Sequence, residues 1–274
     1  MQRYLGWNSS ISVGDLNGDG SSDVVVSYEI ASLTWFRNSD GLGDFSGGID
    51  IADAEGPTWV DLADIDGDGD LDVVSTSFSD GRITWYENTD GEGTFSVGVD
   101  ITTTADGPNF VLTADLDSDG DLDVVSTAYP GDLVTWYENT SGEGEFSTGS
   151  CGARSVVSRN SLSFGWIRRR FGRVFVRYLA AADLDGDLDL DIVSVGDVGD
   201  ITWFENTDGA GAFAEGQDID ALESAASVVA VDLDNDGDID LVVADTEGGR
   251  IVWYENTDGL ATFSAPIEIA LDFG

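Results

Sequence analysis

The chain has 274 residues, of which 54 are acidic and 11 basic; it contains no histidine and carries a formal net charge of −43 at pH 7. Because nucleic acid attracts clustered Lys and Arg, this charge argues against nucleic acid as a partner. With 41% hydrophobic and 10% aromatic residues, the chain is too apolar to be a solvated acidic tail, and we expect it to fold around a large core.

A string of alternating aspartates recurs five times and each time opens a unit of about fifty residues. The clearest copy reads Asp-Ile-Asp-Gly-Asp-Gly-Asp-Leu-Asp over residues 64–72. The five strings begin at Asp15, Asp64, Asp115, Asp183 and Asp232. A repeat of this length predicts an array of similar structural units, which are numbered one to five below.

Apolar and polar residues alternate in four short stretches of each unit, as the second unit shows. Its stretches are 58–63, 71–76, 82–88 and 95–101. They are rich in β-branched and aromatic residues and are separated by turns containing Gly, Asp and Ser. This pattern is typical of an antiparallel four-stranded meander, and no stretch has the period of a helix.

Two aromatic positions recur in every unit. The third stretch carries a tryptophan, usually within Trp-Tyr-Glu-Asn, and a phenylalanine follows the next glycine turn. The tryptophans are Trp35, Trp85, Trp136, Trp203 and Trp253, and the phenylalanines are Phe45, Phe95, Phe146, Phe213 and Phe263. The tryptophans are either platforms for sugar stacking or, as we favour for both sets, packing residues between adjacent sheets, where a Trp fills about 200 Å².

Four-stranded units of this length stack radially as propeller blades, since an isolated meander leaves hydrophobic faces exposed. The predicted fold is therefore all-β: one β-propeller domain over residues 1–274 with five four-stranded antiparallel blades. Each unit begins at its inner strand, and no N-terminal strand is left to join the last blade. The blades either close into a narrow ring through packing alone or form an incomplete arc of a larger propeller.

One insertion, at about residues 147–178, breaks the repeat between the third and fourth units. It contains no acidic residue. It does contain the single cysteine, Cys151, and most of the arginines. The arginines are Arg154, Arg159, Arg168, Arg169, Arg170, Arg173 and Arg177. One interpretation is a basic arm that recruits an anionic partner or lies across the acidic body of the protein. The other, which we favour, is a tolerated surface loop or a segment of foreign sequence.

The alternating aspartates place several carboxylates within a few ångströms of one another once the backbone curls. Two carboxylates about 6 Å apart repel by roughly 3 kcal/mol at an effective dielectric constant of about 20, and a cation relieves that repulsion. Since the chain has no histidine and one cysteine, only oxygen donors are available, which favours Ca²⁺ over softer metals. The alternative is a set of solvated acidic hairpins without metal.

The pattern Asp-x-Asp/Asn-x-Asp-Gly-x-x-Asp, ahead of the Trp-Tyr-Glu-Asn stretch, resembles the FG-GAP/VCBS repeat family, which includes the β-propeller of integrin alpha subunits. The resemblance covers nearly all of the chain outside the insertion. In that family, the side chains at positions one, three, five and nine and the carbonyl at position seven bind calcium. The resemblance therefore implies up to five Ca²⁺ ions.

Carried over residue by residue, the resemblance implies one ligand set for each loop. Giving the carbonyl donor last, the sets are Asp15, Asn17, Asp19, Asp23 and Ser21; Asp64, Asp66, Asp68, Asp72 and Asp70; Asp115, Asp117, Asp119, Asp123 and Asp121; Asp183, Asp185, Asp187, Asp191 and Asp189; and Asp232, Asp234, Asp236, Asp240 and Asp238. The fourth loop has Leu188 at position six, where the others have glycine. If this position requires a positive φ, leucine costs about 1 kcal/mol, and the fourth site is the weakest.

The resemblance implies a non-catalytic module for adhesion to, or recognition of, an unidentified protein or carbohydrate, outside the cell or at its surface. The alternative is a propeller domain of a polysaccharide-acting or other extracellular enzyme. A histidine-based triad is impossible, and metal binding accounts for the loop acids. No segment reaches the roughly 18 apolar residues of a membrane span, and no signal peptide is visible at the start of the chain.

Overall fold

The computed structural model describes residues 10–28, 32–52, 56–129, 133–147, 154–158, 176–196 and 199–271. These residues form strands and turns and contain no helix, as the sequence predicts. The strands are β1 (Ile11–Gly14), β2 (Asp23–Ser27), β3 (Leu33–Phe36), β4 (Ile49–Ala52), β5 (Pro57–Ala63), β6 (Asp72–Ser77), β7 (Arg82–Tyr86), β8 (Val99–Thr102), β9 (Pro108–Ala114), β10 (Asp123–Ala128), β11 (Leu133–Tyr137), β12 (Arg154–Ser158), β13 (Val176–Ala182), β14 (Asp191–Gly196), β15 (Asp200–Phe204), β16 (Gln217–Ala221), β17 (Ala225–Val231), β18 (Asp240–Asp245), β19 (Arg250–Tyr254) and β20 (Ile267–Leu271).

The strands form five four-stranded antiparallel sheets, each a meander in which consecutive strands pair. The sheets are β1–β4, β5–β8, β9–β12, β13–β16 and β17–β20. The predicted propeller blades are therefore confirmed, including the start of each blade at the strand before its aspartate loop. Among the described strands, none joins the sheet of another repeat.

The sheets belong to two compact units. The first unit contains the first two sheets and most of the third, and the second contains the fourth and fifth. In the first unit, Trp35 packs with Val60, Val73 and Tyr86 of the next blade, and Trp85 packs with Val111 in the same manner. In the second unit, Trp203 lies in a cluster with residues of both blades.

The recurring tryptophans are packing residues, as predicted. Four of them, Trp35, Trp85, Trp136 and Trp203, are buried, and Trp253 is half-buried. Four of the recurring phenylalanines are half-buried, whereas Phe45 is 45% exposed. The packing interpretation therefore holds for the tryptophans and fails for the first phenylalanine.

Parts of the arginine-rich insertion contribute strands to two blades. β12 supplies the fourth strand of the third sheet, and β13 begins the fourth sheet at Val176. The remaining insertion residues, 148–153 and 159–175, lie outside the described residues.

Within the described part of the chain, no helix is long and apolar enough to cross a membrane.

Candidate metal centres in the aspartate loops

Each aspartate loop joins the first two strands of its blade, and its ninth residue is a buried aspartate that begins the second strand. The Oδ1 atom of that aspartate accepts a hydrogen bond from the backbone N–H of the asparagine that follows the third strand. These bonds join Asp23 and Asn38 at 2.7 Å, Asp72 and Asn88 at 2.7 Å, Asp123 and Asn139 at 2.8 Å, Asp191 and Asn206 at 2.8 Å, and Asp240 and Asn256 at 2.8 Å. The ninth position therefore ties the loop to the blade.

The second oxygen of this aspartate accepts a hydrogen bond from inside the loop. In the second loop, Asp72 Oδ2 lies 3.0 Å from the backbone nitrogen of Ile65. Burial raises the pKa of Asp72 to about 6, against the hydrogen bonds from Asn88 and Ile65, which favour the ionised form. Burial likewise raises the pKa of Asp191 to about 6 in the fourth loop. These buried carboxyls therefore titrate near neutral pH in the metal-free protein.

The other aspartates curl the loop by accepting hydrogen bonds from backbone N–H groups a few residues ahead, as Asp side chains do in turns. In the second loop, Asp64 Oδ2 accepts from Gly69 at 3.0 Å, and Asp68 Oδ1 accepts from Asp70 at 2.9 Å. In the fifth loop, Asp232 Oδ2 accepts from Gly237 at 3.2 Å. The curl brings alternate side chains to one side of the loop.

Four of the five loops gather three carboxylates whose nearest oxygen atoms all lie within 4.8 Å of one another. The clusters are Asp64, Asp66 and Asp72; Asp115, Asp117 and Asp119; Asp183, Asp185 and Asp187; and Asp232, Asp234 and Asp240. All twelve residues of these clusters belong to the ligand sets that the family resemblance implies. The predicted carbonyl donors at position seven, and the other predicted side chains, remain predictions.

The donor set fits a hard divalent cation. Asp64 Oδ1 is buried and has no hydrogen-bond partner within the protein. Burial, followed by the charge of Asp68, raises the pKa of Asp66, and burial, followed by the charge of Asp187, raises the pKa of Asp185. A hard cation bound here would satisfy the unpaired oxygen and relieve this repulsion, since hard cations take oxygen ligands.

Position six requires a left-handed backbone in every loop. Gly20, Gly69, Gly120 and Gly237 have φ between +84° and +102°, and Leu188 adopts +79° in the fourth loop. The expectation of backbone strain at Leu188 is therefore confirmed. The fourth loop nevertheless gathers its three carboxylates, so the strain does not open the site.

Sequence reasoning missed similar strain at position four. Ser118 has φ of +58° in the third loop and Asn235 has +65° in the fifth, whereas the other three loops have glycine there. The signal was present, since position four is glycine in those three loops. The fourth loop is therefore not alone in carrying a non-glycine residue at positive φ.

The first loop differs from the others in its charge. Its second alternating residue is Asn17, and it is not among the described loops that gather three carboxylates. Arg37 Nη2 lies 3.0 Å from Asp19 Oδ2, and this hydrogen bond holds the pKa of Asp19 below its usual value. The equivalent residues in the other units are acidic: Glu87, Glu138, Glu205 and Glu255. Sequence reasoning missed Arg37, although it interrupts the recurring Trp-Tyr-Glu-Asn.

The family model of the FG-GAP-like repeat matches residues 15–75, 64–126 and 183–243, which together exceed half of the chain. The chain belongs to the FG-GAP-like repeat family. The predicted resemblance is thereby confirmed. Comparison with curated proteins finds no match.

Solved structures share the fold of this FG-GAP-like chain at low sequence identity. One is an Agrocybe aegerita lectin, studied for its specific recognition of non-reducing terminal N-acetylglucosamine, at 21% identity and a TM-score of 0.65 over 98% of this chain and 68% of the lectin. Another is the V. cholerae biofilm matrix protein Bap1, at 20% identity and a TM-score of 0.52 over 95% of this chain. This chain spans only 39% of Bap1.

A recurring asparagine connects consecutive FG-GAP-like blades. The Nδ2 atom of Asn88 donates to the carbonyl of Leu16 in the preceding loop at 2.9 Å and to Leu71 in its own loop at 3.3 Å. The equivalent bonds to the preceding loop run from Asn139 to Ile65, from Asn206 to Leu116 and from Asn256 to Leu184, each at 2.8 Å. Sequence reasoning identified this residue only as part of a motif.

The other end of the FG-GAP-like blades carries exposed aromatic residues. Phe78 and Tyr129 follow the second strands of the second and third blades, are 37% and 39% exposed, and have ring centroids 5.7 Å apart. The loop between those blades supports them, since Tyr129 N donates to Gly107 O at 2.8 Å. Gly107 has φ of +69°, and a Cβ there would collide with the Tyr129 carbonyl. The two aromatic residues therefore occupy a defined surface.

Proposed function

We propose that this chain is a non-catalytic, calcium-stabilised propeller module that recognises a carbohydrate or protein outside the cell or at its surface. The observation that carries the calcium assignment is the clustering of three carboxylates in each of four loops. Membership of the FG-GAP-like repeat family supports the same assignment.

Calcium in these loops is structural in this proposal. The carboxylate clusters lie at the hairpins between first and second strands, and a buried ninth aspartate ties each loop to the third strand of its blade. A bound ion would therefore stabilise the loop between the first two strands of a blade and, through the ninth aspartate, the attachment of that loop to the third strand. Extracellular calcium modules work at dissociation constants of about 10⁻⁴ to 10⁻³ M, which exposed acidic loops of this kind suit.

Recognition is assigned to the opposite end of the blades, at Phe78 and Tyr129. The likeness to a lectin and to a biofilm matrix protein supports a recognition role. Exposed aromatic rings bind the apolar faces of sugars, and neighbouring polar groups bind the hydroxyls. Asp80 and Asp106, both exposed, lie in the loops that carry or support the two rings. We therefore favour a glycan over a protein as the ligand.

A glycan array run in calcium tests this proposal, with binding constants then measured by calorimetry on the best ligand. Phe78→Ala with Tyr129→Ala should weaken binding at least tenfold without changing the melting temperature in calcium by more than a few degrees. Phe45→Ala is the matched control, because Phe45 is also exposed but lies at the aspartate-loop end. It should leave glycan binding unchanged.

Three results would count, in turn, against the assigned surface, against the preference for a glycan and against a non-catalytic module. Equal loss of binding in the Phe45 variant would remove the assignment to the Phe78 surface. A protein ligand without any glycan ligand would replace the carbohydrate with a protein partner. Turnover in a hydrolase and lyase panel, at a rate above that of a heat-denatured sample, would favour the alternative of an enzyme domain.

A further inference from the structure

We propose that Arg37 takes the place of the metal ion in the first aspartate loop, so that this protein binds four calcium ions and holds its first loop with an internal cation. The inference rests on the proposed binding of calcium by the other four loops. Its carrying observation is the contact of the Arg37 guanidinium with the carboxylate at position five of that loop, 3.0 Å away.

The backbone presents residue 37 as it presents the equivalent glutamate of the second blade. Arg37 N donates to Ser46 Oγ at 3.2 Å, and Arg37 O accepts from Ser46 N at 2.8 Å. Glu87 makes the same pair of bonds to Ser96, at 3.2 Å and 2.8 Å. Positions 37 and 87 therefore have the same backbone hydrogen bonds and differ in the side chain.

The charge that this side chain adds has opposite signs in the two blades. In the second, the acidic side chain of Glu87 lies near enough to Asp66 for their charges to interact. In the first, the Arg37 guanidinium donates a hydrogen bond to Asp19 Oδ2 at 3.0 Å. A cation entering the first loop would meet a positive side chain instead of a negative one, and like charges disfavour each other.

Two further residues make the first loop a poorer calcium site. Position three is Asn17, where the second loop has Asp66, and position seven is Ser21, where it has Asp70. Each change removes a negative charge from the vicinity of the ion, and ligand charge is one determinant of calcium affinity. Asn17 Oδ1 also accepts a hydrogen bond from Asp19 N at 3.0 Å. The loop therefore keeps its curl without the carboxylate.

The ion pair does not need to be strong for this role. The Arg37 and Asp19 side chains are 46% and 30% exposed, and exposed pairs contribute little to folding stability. However, the guanidinium is tethered beside the carboxylates, so its effective concentration there is high. Dissolved salt therefore displaces it less readily than it would displace a free cation. Its effect on calcium affinity should therefore exceed its effect on stability.

Native mass spectrometry, with calorimetric titration of calcium, tests the inference on the full chain. The wild-type protein should bind four Ca²⁺. Arg37→Glu, which restores the residue of the other blades, should bind five. Glu87→Arg, the reciprocal variant on the matched frame, should bind three and lose affinity in its own loop by at least a hundredfold.

Arg37→Gln guards against misfolding of the Arg37→Glu variant, since it removes the positive charge without adding a negative one. It should raise the affinity of the first loop at least tenfold. A wild-type count of five would overturn the inference while leaving calcium binding intact, and so would unchanged first-loop affinity in both Arg37 variants. A wild-type count of zero would overturn the calcium assignment of the proposed function as well, so the two failures are distinguishable.

Discussion

The first and second aspartate loops have nearly the same backbone and different charges. Both have glycine with positive φ at position six, and both attach their ninth aspartate to an asparagine N–H at 2.7 Å. Yet Arg37 contacts the first loop, whereas the acidic Glu87 lies at the equivalent position of the second. Turn-forming side chains and the ninth aspartate therefore set the shape of both loops. The two loops differ in the charges that surround that shape.

Removal of calcium should have the largest effect and should separate the two loops. At 1 mM free calcium and a dissociation constant of about 10⁻⁴ M, each occupied loop adds about 1.4 kcal/mol of stability, or about 6 kcal/mol for four loops. Excess EDTA should therefore lower the melting temperature substantially, as differential scanning calorimetry can measure. Peptide-resolved hydrogen exchange should show faster exchange at residues 64–72 and little change at 15–23.

Magnesium at equal ionic strength is the control for the EDTA experiment, because Mg²⁺ demands a near-ideal octahedron and dehydrates reluctantly. It should restore little of the lost stability. An unchanged melting curve in EDTA would contradict structural calcium, and equal loss of protection in the first and second loops would contradict the difference drawn between them.

The next largest effect is expected at the ninth position, where the two loops should behave alike. Asp72→Ala leaves the N–H groups of Ile65 and Asn88 buried and unpaired, and should cost about 3 kcal/mol in the free energy of unfolding. Asp23→Ala should cost a similar amount, since Leu16 and Asn38 lose the same partner. Urea denaturation in EDTA measures both. A loss confined to Asp72 would show that the loops differ in shape and not only in charge.

An effect of intermediate size is expected from pH. Burial raises the pKa of Asp72 and Asp191 to about 6 from an ordinary 3.8. In EDTA, these groups should therefore contribute stability that is fully present below about pH 4 and is lost as the pH rises through about 6. The loss is smaller than that from Asp72→Ala, because the carboxylate formed at higher pH still accepts both hydrogen bonds.

Calcium should reverse this dependence, because the ion binds ionised carboxylates. The difference in melting temperature between calcium and EDTA should thus grow from pH 5 to pH 7. Asp72→Asn should flatten the slope seen in EDTA while the first loop keeps its hydrogen-exchange protection. A calcium effect that is independent of pH over this range would contradict binding through these carboxylates.

The smallest expected effect concerns Leu188, which sharpens the comparison between the fourth loop and the rest. Leu188→Gly relieves a left-handed leucine and should stabilise the protein by about 1 kcal/mol. The side chain is 85% exposed, so little packing is lost. Gly69→Ala in the second loop is the reverse control and should destabilise the protein, because Gly69 has φ of +98°. Thermal melts in EDTA separate this effect from calcium affinity.

Much of the fold could be predicted because its signals are local and repeated. Strands β5 to β7 follow the period-two stretches of the second unit closely, and the same pattern recurs in each blade. The positive φ at position six could also be predicted, since glycine at that position in four loops marks a backbone that side chains disfavour.

The properties that escaped prediction depend on distance in space or on one changed residue. The carbonyl that accepts the hydrogen bond of Asn88 lies 72 residues away, so no sequence window contains both partners. Arg37 occurs inside an otherwise matching repeat, and only its contact with Asp19 reveals its effect on the loop. The exposure of Phe45 sets the first blade apart from the other four, whose equivalent phenylalanines are half-buried.

The shared asparagine gives the array a direction. The side chain of Asn88 donates one hydrogen bond to the loop of its own blade, the second, and one to the loop of the first blade. Asn256 of the fifth blade likewise donates to its own loop and to the loop of the fourth blade. A loop that loses its shape therefore withdraws a partner from the blade that follows. In an array dominated by nearest-neighbour terms, such a bond couples two consecutive blades. Its loss therefore weakens both the loop that accepts it and the blade that donates it.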